Sequence, residues 1–286
     1  MKLSDWIGRT ETLTDDITAT PVAAMSALLD RPVVRPASGE PLPALWHWLN
    51  FLPLAPQASI GPDGHPQRGG FLPPVPQPRR MWAGSQLQFS EPLCIGDTVE
   101  RHSTIENISE KTGRSGSLVF VKVRHQIYRG PAGGVVGSEP AFVEHQDIVY
   151  RDAPAPDQPV PNPVAAPDQG QWARRIDPDP VMLFRYSALT FNGHRIHYDR
   201  HYVTQEEGYD GLVVHGPLIA TLLLDAMRHE LDDPPLASFE FRAVRPTLDI
   251  NPFFVCGEPS PDGKTVSLWA KDHEGWLTMQ ATATLA

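Results

Sequence analysis

Residues 186–202 read Tyr-Ser-Ala-Leu-Thr-Phe-Asn-Gly-His-Arg-Ile-His-Tyr-Asp-Arg-His-Tyr, a dense cluster of side chains able to carry protons. His194, His197 and His201 are spaced so that a helix would align them on one side, which raises a metal site. Two features oppose it. Asp199, the carboxylate that would complete a ligand set, lies off that face, and Asn192-Gly193 signals a turn. The expectation is acid–base chemistry without a metal, against the plainer reading of solvated loop histidines. About a dozen residues later, Tyr209-Asp-Gly-Leu-Val-Val-His-Gly-Pro217 opens an apolar segment. A helix N-terminus offers free backbone N–H groups and the positive end of the dipole. Gly216 at that point lets a carbonyl oxygen approach closely, and a thioester oxygen there would be stabilised as it gains charge.

These groups need elements to hold them. Gly216-Pro217 starts a helix whose apolar arc, Leu218, Ile219, Leu222, Leu223, Met227 and Leu231, is wide enough to be wrapped by other structure. Asp232-Asp233-Pro234-Pro235 ends it. Thr20-Pro21 reads as the cap and first residue of a second helix, with Val22, Met25, Leu28 and Leu29 on one face. Period-two alternation marks strands at Val119–Tyr128 and Leu277–Leu285, and Phe239–Val244 and Thr265–Ala270 are further strands. A buried helix followed by antiparallel strands, once per half, is an α+β layout.

The chain has 286 residues, of which 31 are proline and 22 glycine. That proline content excludes a long helical bundle, because each interior proline costs a helix about 3 kcal/mol. Six prolines fall within 153–167, which favours an extended, semi-rigid linker. Eight more lie within 53–78, but there Phe71, Leu72 and Val75 accompany them, so an ordered loop packed against a site is expected. The predicted division is 1–152, a linker over 153–175, and 176–286. A net charge of -10 disfavours nonspecific nucleic-acid binding, and no polybasic patch or membrane span is evident. Cys94 and Cys256 read as two free thiols in a reducing compartment, and the N-terminus lacks a signal-peptide core, so a cytoplasmic protein is expected.

Asn192-Gly193-His194-Arg195-Ile196-His197, followed by Val213-Val214-His215-Gly216, resembles the motif of the MaoC-like, R-specific enoyl-CoA hydratases, Asp-x-Asn-Pro-x-His and then an apolar stretch ending in His-Gly. The resemblance implies a double hot-dog fold, two antiparallel sheets each wrapped round a central helix. It places the family's catalytic histidine on His197, its aspartate on Asn192, and the thioester-binding N–H on Gly216. Asparagine departs from the family: its amide binds and orients water but is no base at neutral pH. The segments 45–53, 70–74 and 78–84, with 189–199, are similar to a branch of double-hot-dog hydratases acting on itaconyl-CoA or mesaconyl-C4-CoA, with citramalyl-CoA as the hydrated product. An acyl-CoA substrate follows, with no cofactor beyond the coenzyme A it carries.

Around this centre, His194, Arg195, Asp199 and His215 are candidate substrate contacts from the motifs. Trp46 and Trp48 are candidates for shaping the acyl pocket, although core packing is the plainer reading of tryptophans. Arg79 and Arg80 would point to opposite faces of a strand, so at most one meets a phosphate or carboxylate. A hot-dog thioesterase and a noncatalytic acyl-CoA-binding protein are the competing functions. A homo-oligomer is the expected assembly, because exposed strand edges invite pairing.

Overall fold

The computed structural model describes residues 2–113, 116–153 and 162–286. The N-terminal half contains β1 (Thr10–Asp16), α1 (Ala19–Leu28), β2 (Arg79–Phe89), β3 (Thr98–Gly113), β4 (Gly116–Gly130) and β5 (Phe142–Arg151). Next come β6 (Trp172–Ile176), α2 (Pro180–Leu189), α3 (Arg200–Gln205), α4 (Gly216–Glu230), β7 (Leu236–Ala243), β8 (Phe253–Pro259), β9 (Thr265–Asp272) and β10 (Leu277–Leu285). Instead of two separate sheets, the strands form one, in the order β1-β3-β4-β5-β2-β7-β10-β9-β8-β6, with every neighbouring pair antiparallel. The halves fuse where β2 pairs with β7, from Gly84 opposite Arg242 to Gln88 opposite Ser238. This pairing satisfies backbone groups that two separate sheets would leave on open edges.

Which face of the sheet is buried follows from its alternation. On β4, Val119, Val121, Val123 and Ile127 are buried and their neighbours are not, as the period-two reading requires. On β10, Leu277, Met279, Ala281 and Ala283 point inward. The C-terminal strands wrap α4, in which every residue from Leu218 to Met227 is buried. Each buried leucine or isoleucine contributes about 2 kcal/mol relative to exposure. Asp225 would be costly in this setting, but Arg174 at 2.9 Å and Arg31 both pair with its carboxylate. α1 is shorter, and its N-cap is Thr18 rather than the expected Thr20, so Pro21 sits in the first turn, where its missing N–H costs nothing.

The predicted linker, 153–175, ends too late. β6 begins at Trp172 and pairs with β8, and Ala165 bridges Trp276, so the chain rejoins the sheet within that span. Residues 154–161 lie outside the described residues. The proline-rich 53–78 segment holds a short 3-10 turn at Gln57–Ser59 and an Ile60–Pro66 bridge. Its Phe71 and Leu72 pack against a cluster that includes Trp6, Val75, Ile105 and Tyr150. Its tip lies on the motif that follows α2. A Cβ on Gly64, whose φ is +89°, would stand 1.8 Å from the Gly193 carbonyl oxygen. Only glycine allows that approach.

Candidate active site

The motif does not form one helix. α2 ends at Leu189, residues 192–194 turn, Arg195–His197 make a single 3-10 turn, and α3 begins at Arg200. His201 is therefore exposed on α3, while His194 and His197 are buried. The His194–His197–His201 ligand face does not exist. The Asn192 side-chain oxygen instead accepts the His194 N–H at 3.0 Å, which closes the turn.

His197 is held from two sides. Its Nδ1 lies 2.6 Å from the Val213 carbonyl oxygen, so Nδ1 carries the proton and donates it, leaving the lone pair on Nε2. Its ring stacks on His215, with centroids 3.7 Å apart and planes inclined by 19°. Burial pushes the His197 pKa down to about 4, although the Val213 hydrogen bond opposes the shift. A neutral imidazole with a free Nε2 is the state a general base requires. The His194 ring meets His197 edge-on at 5.5 Å, and burial, aided by the charges of His197 and Arg80, lowers its pKa to about 2.

His215 caps α4 and is 1% exposed, so it underlies His197 and does not reach a substrate as expected. Its Nε2 pairs with Ser187 Oγ at 2.9 Å, which ties α2 to the site. Gly216 is the first residue of α4, and its N–H makes no hydrogen bond among the described residues. A Cβ there would meet nothing nearer than Met279 Cε and the Trp82 carbonyl oxygen, both at 3.9 Å. Packing therefore does not require glycine at this position, whereas close approach of a ligand oxygen does. Gly216→Ala is expected to leave the Tm unchanged within a few degrees and to lower kcat about tenfold or more by crowding the N–H. Thermal denaturation alongside steady-state kinetics checks both halves of that statement.

Several predicted contacts are already taken by the protein. Arg195 donates to Asp199 Oδ2 from Nε at 3.0 Å and from Nη2 at 2.7 Å, and to the Pro62 carbonyl at 2.9 Å, and it covers the Tyr202 ring. Asp199 also caps α3 through the Tyr202 N–H. These two residues brace the motif and are not placed to grip a ligand. Arg79 pairs with Glu207 at 2.9 Å and lies over Tyr209. Trp46 lines a cavity of about 270 Å³ with Val22, Ser26 and Arg228. Arg228 lies twelve residues along α4 from Gly216, or about 18 Å at the helical rise. Trp46 thus lies toward the C-terminal end of α4, away from Gly216.

Trp48 and Arg80 stay near the chemistry. Trp48 stands edge-on to Trp82 at 4.9 Å and to Phe241 at 6.1 Å, an aromatic wall close to the start of α4. Its N–H reaches Glu144 at 3.3 Å. Glu144 is buried and also accepts from Ser85 at 2.8 Å and Gln146 at 3.2 Å, with His47 at 3.1 Å. Burial raises its pKa, but the His47 and Ser85 hydrogen bonds and the charges of His47 and His125 prevail and bring it to about 2. Arg80 neighbours Tyr150, Asp63 and His194, and it forms no ion pair within 4.0 Å among the described residues. Of the two arginines it is the one without an ion pair among the described residues, its neighbour being the Tyr150 hydroxyl.

Two residues escaped the sequence reading. Asp63 and His65 come from the tip of the proline-rich loop, and with His194 they place potential metal-ligating atoms within 4.8 Å of one another. The Arg80 charge acts on both Asp63 and His194, which disfavours a cation in that group. The sequence of 53–78 predicts a loop packed against a site, but nothing in Gly-Pro-Asp-Gly-His-Pro shows that Asp63 and His65 are the residues that meet the motif.

A buried, neutral histidine stacked beside an open helix N-terminus, inside a sheet wrapped round that helix, is the arrangement that the resemblance to the hot-dog hydratases and dehydratases leads one to expect. Residues 45–249 match the hydroxyacyl-thioester dehydratase type 2 family, and the chain belongs to that family; it is a hydro-lyase. It is similar to the mesaconyl-C(4)-CoA hydratase of Chloroflexus aurantiacus, with 48% identity over 281 residues, 98% of this chain and 96% of that protein. A solved MaoC-like dehydratase superposes with a TM-score of 0.70 at 13% identity, over 99% of each chain. A double hot-dog protein of Mycobacterium tuberculosis gives 0.56 at 13% identity, over 98% of this chain and 96% of its own. No helix of the described residues is long and apolar enough to cross a membrane.

Proposed function

We propose that the protein is an acyl-CoA hydratase that adds water reversibly across the double bond of mesaconyl-C4-CoA or a closely related branched unsaturated dicarboxylyl thioester. The observation that carries this reading is the pairing of His197 Nδ1 with Val213 O, which fixes a free Nε2 base beside the open N-terminus of α4. Likeness to the Chloroflexus hydratase over almost the whole chain supports the substrate class. His197 Nε2 takes a proton from water as its oxygen attacks the β-carbon. The electron pair of the double bond moves toward the thioester oxygen, which the Gly216 N–H and the helix dipole stabilise. Trp48, Trp82 and Phe241 shield the acyl chain from water, and Arg80 pairs with its free carboxylate.

The reading needs no cofactor beyond the coenzyme A of the substrate. A cytoplasmic enzyme is part of the reading, supported by the free cysteines Cys94 and Cys256, which a reducing compartment preserves. The test is turnover of mesaconyl-C4-CoA, itaconyl-CoA and crotonyl-CoA, followed by mass spectrometry of the products and by free-thiol release. Gain of one water on a carboxylated acyl group, faster than on crotonyl-CoA and without thiol release, is the expected result. Thiol release without a hydrated product would make the protein a thioesterase instead.

A further inference from the structure

The geometry points to Asp63 as a catalytic residue, the acid that protonates the α-carbon in place of the aspartate this motif lacks. The inference rests on the hydratase reading. Addition of water needs two proton transfers, one from water and one to carbon. His197 supplies the first, but Asn192 cannot supply the second, since an amide does not release a proton near neutral pH and its oxygen is engaged by the His194 N–H.

The loop that carries Asp63 is built onto the motif. The Arg195 backbone N–H donates to the Asp63 carbonyl at 2.9 Å, and the Arg195 guanidinium holds the Pro62 carbonyl at 2.9 Å. Gly64 lies against Gly193 so closely that no side chain fits between them. Either side of that contact, Asp63 and His65 project toward His194, whose ring is 4.2 Å from that of His65 and 5.5 Å from that of His197. His65 Nδ1 is buried without a hydrogen-bond partner and stands 3.8 Å from Asp63 Oδ2, too far for a direct hydrogen bond.

Charges around Asp63 suit the role. Burial raises its pKa, and the charges of Arg80 from β2 and Arg68 from its own segment hold it back only in part. Arg68 is committed to the Val75, Gln77 and Pro78 carbonyls. Arg195 is spent on Asp199, while His65, His194 and Tyr202 are the other titratable groups near the carboxyl. A substrate carboxylate that takes up the Arg80 charge would raise Asp63 further and favour its protonated form.

The step balances as follows. The water oxygen bonds to the β-carbon while its proton goes to His197 Nε2. The π pair shifts to the α-carbon and the thioester oxygen, and the α-carbon takes the proton of the Asp63 carboxyl. His197 then loses its proton and Asp63 regains one by exchange with solvent, to which the Asp63 side chain is 25% open. One water is consumed and both side chains return to their starting states.

Asp63→Asn tests the assignment, because the amide oxygen still accepts the His65 N–H and the loop turn is kept. On the thioester that the wild type hydrates best, kcat should fall by about a hundredfold or more while KM changes only a few-fold. The alkaline limb of the wild-type pH–rate profile, set by Asp63, should vanish, and Asp63→Glu should recover part of the rate. Asp63→Asn with wild-type kcat and an unchanged alkaline limb would overturn the assignment while leaving the hydratase reading intact. So would loss of wild-type activity on chelation with recovery on adding a divalent cation, since Asp63, His65 and His194 would then be ligands. Wild-type protein that hydrates no thioester would overturn both.

Discussion

His197→Asn is expected to lower kcat by about a hundred- to ten-thousandfold, with KM within a few-fold of wild type. Asparagine places an amide nitrogen near the position of Nδ1, so the bond to the Val213 carbonyl can persist. What disappears is Nε2, the only ring nitrogen free to accept a proton from water. Because that loss falls on the transition state, it appears in kcat rather than in ground-state affinity. The wild-type profile carries a second signature. A histidine with an ordinary pKa gives an acid limb near 6.5, whereas burial of His197 moves this limb to about 4. An acid limb in kcat/KM that stayed near 6.5, or a variant with full kcat, would remove His197 from the role of base.

The second large effect is acid unfolding. His125 and His197 both have pKa values lowered by burial to about 4, and His194 to about 2, with His215 shifted in the same direction. In the unfolded chain each takes up a proton near 6.5, but the folded protein resists until the lower value. The unfolded state therefore binds more protons below about pH 6.5, and stability falls as pH falls. The contribution is fully present above about pH 6.5 and lost progressively to the folded pKa of about 4. For His125 or His197 the loss is about 3 kcal/mol each, and two such losses rival the whole stability of a typical domain. Glu144 acts later, its contribution being lost from 4.5 downward through about 2. A steep drop in Tm between about pH 6.5 and pH 4, followed by circular dichroism, is the expected course. His125→Gln should shift the midpoint to lower pH, since this residue lies on β4 outside the catalytic group. A midpoint governed by carboxylates alone, with Tm flat down to about pH 4.5, would refute the account.

The elements that sequence revealed were those whose cause is local. The alternation of Val119, Val121 and Val123 and of Leu277 through Ala283 sets which face is buried. Gly216-Pro217 and Asp232–Pro235 bound α4 because capping and proline sterics act within a turn. The cap at Thr18 was missed because Thr20-Pro21 is also a favourable start and no side-chain hydrogen bond separates the two. The start of β6 was hidden because Trp172–Ile176 is short, and its strand character comes from pairing with β8 some eighty residues away.

In the site, residue types and spacing alone gave a histidine cluster ahead of a helix opened by Gly216, whereas the assignment of the base to His197 and the loss of an aspartate at Asn192 came from the resemblance to the MaoC-like motif. Only the tertiary structure decided which nitrogen of His197 is free, since the Val213 carbonyl and the His215 ring impose that choice. It also turned Arg195 and Asp199 toward each other, gave Arg79 to Glu207, and moved Trp46 to the far end of α4. It brought Asp63 and His65 across roughly 130 residues to His194, through a glycine-to-glycine contact that leaves no periodic trace in either segment. Local patterns record what a segment prefers to bury. They do not record which distant segment it meets, because that depends on the packing of the whole sheet around α4.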